Sequence, residues 1–461
     1  ISAARRAACQ PFCIGGIEAD GSFCCNELTY LILDVFGELK IINPKIHVRC
    51  HPSMPDEYLS KVLTHIREGA SSLTLINDVA AIKSYERIGI SAEEAAEYYP
   101  LGCYELTIPK TEDPRICASW INLVKPVEFL MSTRGNSDTE MLLGLPKIEF
   151  EPKSFDEFLF DYFRILGASI EFVCNNIIEL NKFIYRINPS PFMSASFDHC
   201  VKQGKDFFDG GMKYRNYSVK CFAIANAVDS LLAVKKIVYD EKKLTLSEFS
   251  DVLKQNWRGN EKLRLYIRAD RNKWGNGVDE ADDLAKEIYD FCAARIINRR
   301  NGAGGRFRLG ADSVDMSIFY GRDTGATPDG RFAGSELARN FRPELGLERG
   351  GITAFLKSVN TLDGSLFADG APCDFVLHPS AVEGEKGLEA FKTMVRTFFE
   401  RGGFDIQGNV FSSQTLRDAQ INPDSYRDLQ VRVCGWNEYF VNMRKSVQDD
   451  FIKRTSENEN R

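Results

Sequence analysis

Apolar side chains recur along this chain with helical spacing, in segments separated by short continuous apolar runs. Residues 28–35 and 59–66 each carry apolar side chains three and four positions apart, which predicts two helices. The second of these starts at Pro55 and ends at Gly69, and the apolar run 72–78 that follows predicts a strand. Helices that alternate with strands in this way favour parallel strands joined by crossover helices, and therefore an α/β fold.

Three further helices are predicted from capping signatures. In each, a serine or threonine precedes a glutamate by three residues, so that each side chain can accept a hydrogen bond from the backbone N–H of the other. The pairs are Ser91 with Glu94, Ser154 with Glu157, and Thr245 with Glu248. The first helix is expected to end near Tyr99, before Pro100, and the second to run on toward Tyr185. Residues 373–378, ahead of Pro379, predict another strand.

The composition is that of a soluble globular protein, since 44% of the 461 residues are hydrophobic and 27% are charged. A formal net charge of −7, without a dense basic tract, argues against nucleic-acid binding. No apolar run is long enough to span a bilayer. The thirteen cysteines are scattered and form no Cys-x-x-Cys pairs, which excludes a zinc pattern and predicts reduced thiols in a cytoplasmic protein.

One stretch near the end of the chain carries specific chemistry. Residues 432–440 read RVCGWNEYF, and a helix is predicted to open near Gln448. The pattern Arg-Val-x-Gly-aromatic resembles the radical-bearing loop of the glycyl radical enzymes, the family of pyruvate formate-lyase, and implies an α-carbon radical on Gly435. Such a radical is planar and is shared between the amide nitrogen and the carbonyl; a side chain would crowd it, and glycine has none. The neighbouring Cys434 is predicted to serve packing.

A second motif lies far upstream, where residues 102–105 read GCYE. Alone it is a weak signal, but together with the Gly435 loop it resembles the thiyl-radical loop of the same family. In an extended segment, residues two apart project to the same side. Cys103 and Glu105 are therefore expected to face one cavity, and Tyr104 to point away from it.

The resemblance implies a role for each of these residues. The delocalised radical on Gly435 takes a hydrogen atom from Cys103, and the resulting thiyl radical abstracts hydrogen from a substrate C–H bond. Cys103 must then be a neutral thiol, which an apolar and poorly solvated setting favours. Glu105 is placed to accept a proton from a hydroxyl group on the radical carbon, which lets a neighbouring group leave.

The Gly-Cys-x-Glu form distinguishes between branches of the family. Pyruvate formate-lyase carries two adjacent cysteines in this loop, whereas here Gly102 precedes Cys103, which disfavours a formate acetyltransferase-like acyl transfer. The motif instead resembles the glycerol and diol dehydratases and choline lyase. It predicts an anaerobic, oxygen-sensitive radical lyase or dehydratase for a small 1,2-substituted, hydroxylated substrate. An arylacetate-type radical decarboxylase, with a similar Cys-x-Glu pair, is the alternative, and a truncated non-catalytic homologue is the second alternative.

Three positions depart from the family pattern. Leu106 replaces the usual proline, Trp436 replaces the common tyrosine, and Gly408 replaces a phenylalanine that many members carry. The changes at Leu106 and Gly408 are expected to enlarge or reshape the cavity. Trp436 keeps a large aromatic cover on the radical loop.

Three residues outside the two motifs are candidates for the substrate pocket. Asp113 and Trp120 follow the cysteine loop, where family members place residues that contact the leaving group or the pocket. His378 ends a strand that resembles one bordering the site. A surface position remains open for Asp113, and a packed or hydrogen-bonded role remains open for His378.

By resemblance, the fold is a ten-stranded α/β barrel made of two antiparallel five-stranded half-barrels. Family members are longer, so this chain, which begins at Ile1, is expected to be a C-terminal portion whose barrel is incomplete at the N-terminus. Residues 1–340 are predicted to form the barrel domain with the cysteine loop, and 341–461 the glycine radical domain. The resemblance also implies a homodimer and a separate radical S-adenosylmethionine activase. No metal, no tightly bound cofactor, no nucleic acid and no membrane partner are expected.

Overall fold

The residues described by the computed structural model are 11–18, 20–132, 144, 151–313, 316–433 and 435–459. The chain divides into two compact units. The first takes in residues up to 107 together with 351–356 and 363–461, and the second takes in 108–350 and 357–362. The division into domains at residue 340 stays a prediction. Cys434, predicted to serve packing, lies outside the described residues.

The secondary structure alternates between strands and helices over most of its length. The strands are β1 (Phe12–Gly15), β2 (Ile46–Cys50), β3 (Leu73–Asn77), β4 (Tyr99–Leu101), β5 (Glu105–Thr107), β6 (Glu112–Asp113), β7 (Ser119–Asn122), β8 (Tyr214–Arg215), β9 (Tyr217–Phe222), β10 (Phe307–Gly310), β11 (Pro372–Leu377), β12 (Asp405–Val410), β13 (Gln430–Val433) and β14 (Trp436–Tyr439). The helices are α1 (Glu27–Leu39), α2 (Asp56–Arg67), α3 (Asp78–Arg87), α4 (Ala92–Ala96), α5 (Lys125–Ser132), α6 (Phe155–Asn181), α7 (Ile184–Ile187), α8 (Pro191–Ala195), α9 (Asp198–Gln203), α10 (Ile224–Val234), α11 (Leu246–Lys254), α12 (Glu261–Arg268), α13 (Asp279–Ile296), α14 (Met316–Arg322), α15 (Gly351–Val359), α16 (Gly384–Glu400), α17 (Ser413–Ile421) and α18 (Lys445–Glu459).

The first unit is built on a five-stranded sheet with the order β1-β2-β3-β12-β11. Strands β1, β2 and β3 are parallel, with α1 and α2 as crossovers, so the predicted α/β pattern is confirmed there. Strand β12 runs antiparallel to β3 and parallel to β11. The parallel strands β1 to β3 and the parallel strands β11 and β12 therefore form two sets, which join antiparallel at β3 and β12. This is the arrangement expected between two half-barrels. Within the described ranges the largest sheet has five strands, and no closed barrel is formed.

Helix α2 has the buried face that its sequence predicts. Leu59, Val62, Leu63 and Ile66 are all at most 1% exposed. Burial of each such side chain contributes about 1.5–3 kcal/mol to the stability of the fold. The helix therefore binds to the sheet through one apolar stripe.

Helix α1 forms as predicted, but with a different buried face. Leu28, Leu31 and Val35, which lie on the predicted stripe, are exposed, whereas Leu33 and Phe36 are buried. The helix carries apolar residues on more than one side. Helical spacing predicted the helix correctly but could not decide which of its apolar sides packs on the first unit.

The three capping signatures all fall at helix starts. Thr245 and Glu248 form the complete capping box of α11, and the hydroxyl groups of Ser154 and Ser91 each accept one backbone N–H. Two of the predicted helix ends were too late. Helix α6 ends at Asn181, and α4 ends at Ala96 because β4 begins three residues later.

The second unit contains a parallel three-stranded sheet with the order β10-β9-β7 and a fully buried helix, α10. Burial also holds carboxyl groups away from water in this unit. It raises the pKa of Asp229 to about 7 and that of Glu344 to about 8. Among the residues that the structure describes, no helix is both long and apolar enough to cross a membrane.

Candidate active site

Two β-hairpins of the first unit carry the predicted radical residues at their tips. Strands β4 and β5 pair antiparallel, and residues 102–104 form the turn between them. Strands β13 and β14 also pair antiparallel, with Val433 opposite Trp436 and Gly435 in the turn. Gly435 has a φ of +102°, a backbone conformation that residues with a side chain rarely adopt.

The structure brings Cys103 and Gly435 into direct contact. A Cβ atom built on Gly435 would lie 2.5 Å from the Cys103 Sγ and 2.6 Å from its Cβ, closer than side chains approach one another. Position 435 therefore requires glycine for two reasons: its backbone has a positive φ, and the Cys103 thiol occupies the space that a side chain would need. The arrangement allows a hydrogen atom to pass between sulfur and the glycine α-carbon without an intervening group.

Glu105 lies under the cysteine loop. Its side chain is buried, and its Oε2 accepts hydrogen bonds from the backbone N–H groups of Cys103 (2.9 Å) and Tyr104 (3.1 Å). The acid thus holds the turn that presents the thiol. Its carboxylate and the thiol belong to one compact loop.

Tyr104 does not point away from the site as predicted. Its ring lies 3.3 Å from the Cβ position built on Gly435, and the residue is buried. The prediction assumed an extended segment with alternating side chains. Residues 102–104 form a turn instead, in which Gly102 has a φ of +50°, so the alternation does not apply.

A buried polar network connects Tyr104 to the glycine hairpin, and sequence reasoning missed it. Gln407 Nε2 donates to the Tyr104 hydroxyl and to Asp374 Oδ1, while its Oε1 accepts from Arg432 Nε at 2.6 Å. Arg432 Nη1 then donates to Asn437 Oδ1 at 2.6 Å. The available signal was a pair of amides, at positions 407 and 409, between the apolar residues Ile406 and Val410.

Asn409 binds the strand that leads to Gly435. Its side-chain oxygen accepts from the Arg432 N–H at 2.7 Å, and its Nδ2 donates to the Arg432 carbonyl at 3.2 Å. A side-chain amide that satisfies both backbone groups of one residue imitates a neighbouring strand. Strand β12 therefore fixes β13 through side chains.

Two cations surround the neutral His47 near the cysteine loop. Burial, the charge of Lys45 and the charge of Arg432 together hold the pKa of His47 well below its usual range, against an opposing contribution from the Gly102 backbone. The ring is buried, and its Nδ1 lies 2.7 Å from the Thr74 hydroxyl. His47 is uncharged at neutral pH and helps to fill the region between the sheet and the loop.

There is no open space at Gly408, so the predicted enlargement of the cavity is not found there, and the predicted reshaping stays a prediction. A Cβ atom at this position would meet the carbonyl oxygen and the ring of Phe375, its partner in register on β11. The ring of Phe375 is 1% exposed. The neighbouring strand thus supplies the aromatic volume that the family pattern places at position 408.

The other two departures from the pattern are accommodated by packing. Leu106 is fully buried. Trp436 packs against an apolar cluster of the C-terminal segment that includes Phe411, Val431 and Phe440. The aromatic cover that was predicted after the radical glycine therefore belongs to the core that supports its hairpin.

The three predicted pocket residues lie in different settings. His378, at the end of β11, is exposed, and its Nδ1 is 2.7 Å from the Ser380 hydroxyl in a capped turn, the hydrogen-bonded role left open for it. In the second unit, Asp113 is buried rather than on the surface and binds Arg115 Nε at 3.0 Å, and burial raises its pKa. Lys220 Nζ lies over the ring of Trp120, 5.9 Å from the ring centroid. A role for any of them in the pocket stays a prediction.

Comparison with known protein families matches two segments of the chain. A family model described as pyruvate formate lyase-like matches residues 3–321, and one described as glycine radical matches residues 337–441. The chain belongs to the pyruvate formate lyase-like family. Cys103 and Glu105 lie in the first matched segment, and Gly435 lies in the second. The predicted family is confirmed.

The relatives of this pyruvate formate lyase-like chain are about twice its length. It is 31% identical to (2S)-3-sulfopropanediol dehydratase of Klebsiella oxytoca, covering 96% of this chain and 54% of the relative. It is 30% identical to trans-4-hydroxy-L-proline dehydratase of Clostridioides difficile, with coverage of 96% and 56%. The glycerol-bound B12-independent glycerol dehydratase from Clostridium butyricum superimposes with a TM-score of 0.88 at 32% identity, over 96% of this chain and 56% of that chain. The α/β fold of this family is therefore confirmed, and the chain spans about half the length of the relatives it matches.

Proposed function

We propose that this protein is a glycyl radical lyase, a dehydratase or C–X bond lyase that acts anaerobically on a small 1,2-substituted, hydroxylated substrate. The proposal rests on one observation above all, the contact between the Cys103 thiol and the α-carbon region of Gly435. Two loops from distant parts of the chain meet with the residue types that radical transfer requires. The dehydratase names of the relatives support the substrate class.

The proposed reaction begins with hydrogen transfer inside the protein. The Sγ–H bond of Cys103 breaks, a Cα–H bond forms at Gly435, and the unpaired electron passes from carbon to sulfur. The thiyl radical then takes a hydrogen atom from a substrate C–H bond, which restores the thiol. Burial of Gly435 between two hairpins keeps oxygen and water from the reactive centre.

Glu105 is the proposed base for the next step. It takes the proton from the hydroxyl group on the substrate radical carbon, and the electron-rich radical expels the neighbouring group, with which the proton departs. The two backbone N–H groups that bind its Oε2 hold the carboxylate in place for this work. The product radical then recovers a hydrogen atom from Cys103, and the cycle closes.

The proposal includes the partners that this chemistry needs. A radical S-adenosylmethionine activase removes a hydrogen atom from Gly435, for which the glycine hairpin must leave its buried position. The working enzyme is a cytoplasmic homodimer. Asp113, Trp120 and His378 are carried as proposed pocket residues, with no further cofactor.

The proposal is tested by electron paramagnetic resonance on the full-length protein, activated anaerobically with S-adenosylmethionine and an activase. Wild type should give a glycyl doublet, and Gly435→Ala should give none. Cys103→Ser should keep the doublet but lose turnover of vicinal diols. Glu105→Gln can still accept the loop N–H groups, so it should keep the doublet while turnover falls about 10²–10⁴-fold.

The matched control is Cys24→Ser, which changes an exposed cysteine and should leave both the signal and turnover unchanged. Turnover by Cys103→Ser, or a doublet in Gly435→Ala, would remove the proposal. Circular dichroism of each variant shows whether it is folded. A folded wild type that stays silent with several activases supports the non-catalytic alternative instead.

A further inference from the structure

The side chain of Lys45 reaches the backbone of the radical glycine. Its Nζ donates a hydrogen bond to the Gly435 carbonyl oxygen at 3.1 Å, although the two residues are 390 positions apart in the sequence. Lys45 is only 2% exposed. Its charge therefore acts on the Gly435 carbonyl with little screening by water and salt.

The backbone fixes the starting point of this side chain. The Lys45 carbonyl accepts a hydrogen bond from the Phe12 N–H at 2.8 Å, and the next residue, Ile46, donates to the Ser72 carbonyl at 3.1 Å. Strand β2 starts at Ile46, in the middle of the parallel part of the sheet. The ammonium group thus extends from a rigid element, unlike that of an exposed lysine.

We propose that Lys45 tunes the radical on Gly435 by hydrogen bonding to its carbonyl, and so sets how readily a hydrogen atom moves from Cys103 to Gly435. This inference rests on the proposed function. In the radical, spin and negative charge shift from the α-carbon onto the carbonyl oxygen, which is the atom that accepts from Lys45. A charged donor therefore stabilises the radical more than it stabilises the closed-shell glycine.

The consequence concerns the balance between the stored radical and the active thiyl radical. The two states differ only by one hydrogen atom, which lies on Cys103 Sγ or on Gly435 Cα. A donor that stabilises the glycyl radical makes the thiyl radical rarer. Lys45 then prolongs storage of the radical and limits how often the thiyl radical forms.

Deuterium exchange measures this balance directly. The Cys103 thiol exchanges its hydrogen with solvent, so in D₂O each transfer that forms the thiyl radical places a deuterium on Gly435. The return transfer can then remove the original hydrogen and leave the deuterium on the glycyl radical. In the stored radical, the single α-hydrogen gives the doublet, and its replacement collapses the signal toward a singlet. The collapse rate, followed by electron paramagnetic resonance without substrate, reports how often hydrogen moves between the two residues.

Lys45→Met is the decisive variant because it keeps the length of the side chain and removes both the donor and the charge. Tuning predicts that exchange becomes about tenfold faster, the factor of a hydrogen bond to a charged group. It also predicts a wider doublet, because more spin remains on the α-carbon. Lys45→Gln, which keeps a neutral N–H donor, should lie between Lys45→Met and wild type.

A purely positioning role predicts the opposite direction. If Lys45 only held the loop in place, its loss would move Gly435 away from Cys103, and exchange would slow with the splitting unchanged. The matched control is Lys392→Met. It removes another buried lysine, which binds Asp56 instead of Gly435, and it should not alter exchange. Exchange that is unchanged or slower in both Lys45 variants overturns the tuning inference while the wild-type doublet upholds the proposed function. Absence of a doublet in wild type overturns both.

Discussion

At the scale of single residues, a side chain on one strand of the first unit fills the space that a side chain on the neighbouring strand would take. Position 408 has no side chain, and the ring of its register partner Phe375 fills the place where one would lie. Phe375 also packs edge-to-face on Phe391, with the ring centroids 5.7 Å apart. Gly408 has no positive φ, so its backbone conformation permits a side chain, but a Cβ atom there would meet both the ring and the backbone carbonyl oxygen of Phe375.

This packing predicts a non-additive pair of substitutions. Phe375→Gly alone leaves a cavity and should lower the free energy of unfolding by about 3–5 kcal/mol or more. Gly408→Phe alone should also destabilise, because the new ring overlaps Phe375. Combined, they remove the overlap with the ring, although the clash with the backbone carbonyl oxygen of position 375 stays. The pair should therefore recover about 1 kcal/mol relative to the sum of the single changes. Denaturant melts of the four proteins measure this, and strict additivity would contradict the prediction.

Sequence reasoning predicted the two residues that the structure brings into contact, Cys103 and Gly435, but not the residues around them. Gly435 and Cys103 were predictable because radical chemistry restricts their identity. Tyr104 and Gln407 were not, because their roles depend on a turn at 102–104 and on a contact between strands that are far apart in the chain. Lys45 gives no signal of its own in the sequence, since a lysine before a strand is usually exposed.

At the scale of elements, the hairpin of β13 and β14 is held on the sheet by side chains of its two strands. Gln430 Nε2 donates to the Ile41 carbonyl at 3.2 Å, and Gln430 Oε1 accepts from the Ser72 hydroxyl at 3.1 Å. Tyr439 donates to the Lys40 carbonyl at 3.0 Å. These bonds add to those that Arg432 makes with Gln407 and Asn409, so polar groups of both strands hold the hairpin in place. The proposed activation, for which the hairpin must leave its buried position, has to break them.

Loss of the bonds of Gln430 should therefore free the glycine hairpin. Gln430 is 2% exposed, and two hydrogen bonds of about 0.5–1.5 kcal/mol each are lost in Gln430→Ala. We expect hydrogen–deuterium exchange of the amides in β13 and β14 to accelerate about tenfold, and radical installation to be faster.

The control for this prediction is Asp428→Asn, which removes the exposed ion pair with Lys40 beside the same hairpin. Exposed ion pairs contribute little, so exchange in the hairpin should change less than about threefold. Equal acceleration in both variants would mean that the hairpin responds to any nearby change, and that Gln430 has no special role in holding it.

At the scale of the whole molecule, the alternation of helices and strands predicted the α/β class and parallel strands joined by crossover helices. Strands β1 to β3 have this arrangement, although only β3 among them was located in the sequence. The alternation could not predict that β12 joins this sheet antiparallel to β3, because the two strands are far apart in the sequence. Helical spacing likewise predicted α1 without showing which apolar side packs. The family resemblance supplied the long-range arrangement that local patterns lack.

The buried carboxyl groups of the second unit were also outside the reach of sequence patterns, and they affect the stability of the protein as a function of pH. Asp229 is 1% exposed; its Oδ1 accepts from the Trp274 N–H at 2.9 Å, and Lys273 Nζ lies 3.8 Å from its Oδ2. Burial nevertheless dominates and raises its pKa to about 7. Asp270 behaves in the opposite way: burial acts to raise its pKa, but the hydrogen bonds from Lys236 and the Asn272 N–H, together with the charges of Lys236 and Lys273, outweigh burial and lower the pKa.

The sign of the effect differs between these two residues, which gives a sharp test. When folding raises the pKa of a carboxyl group, its contribution to the free energy of unfolding is fully present below about pH 4 and is lost as the pH rises through 7. Asp229→Asn, which cannot ionise, should therefore be more stable than wild type at pH 8 and nearly equal to it at pH 4. The upper bound of the gain is on the order of 4 kcal/mol. When folding lowers the pKa of a carboxyl group, its contribution to the free energy of unfolding is present above about pH 4 and is lost at lower pH. Asp270→Asn should therefore be less stable than wild type at pH 8, and the difference should be smaller at pH 3. Thermal melts of both variants between pH 3 and 8 decide the matter, because parallel profiles for the two would show that burial does not control the charge of Asp229.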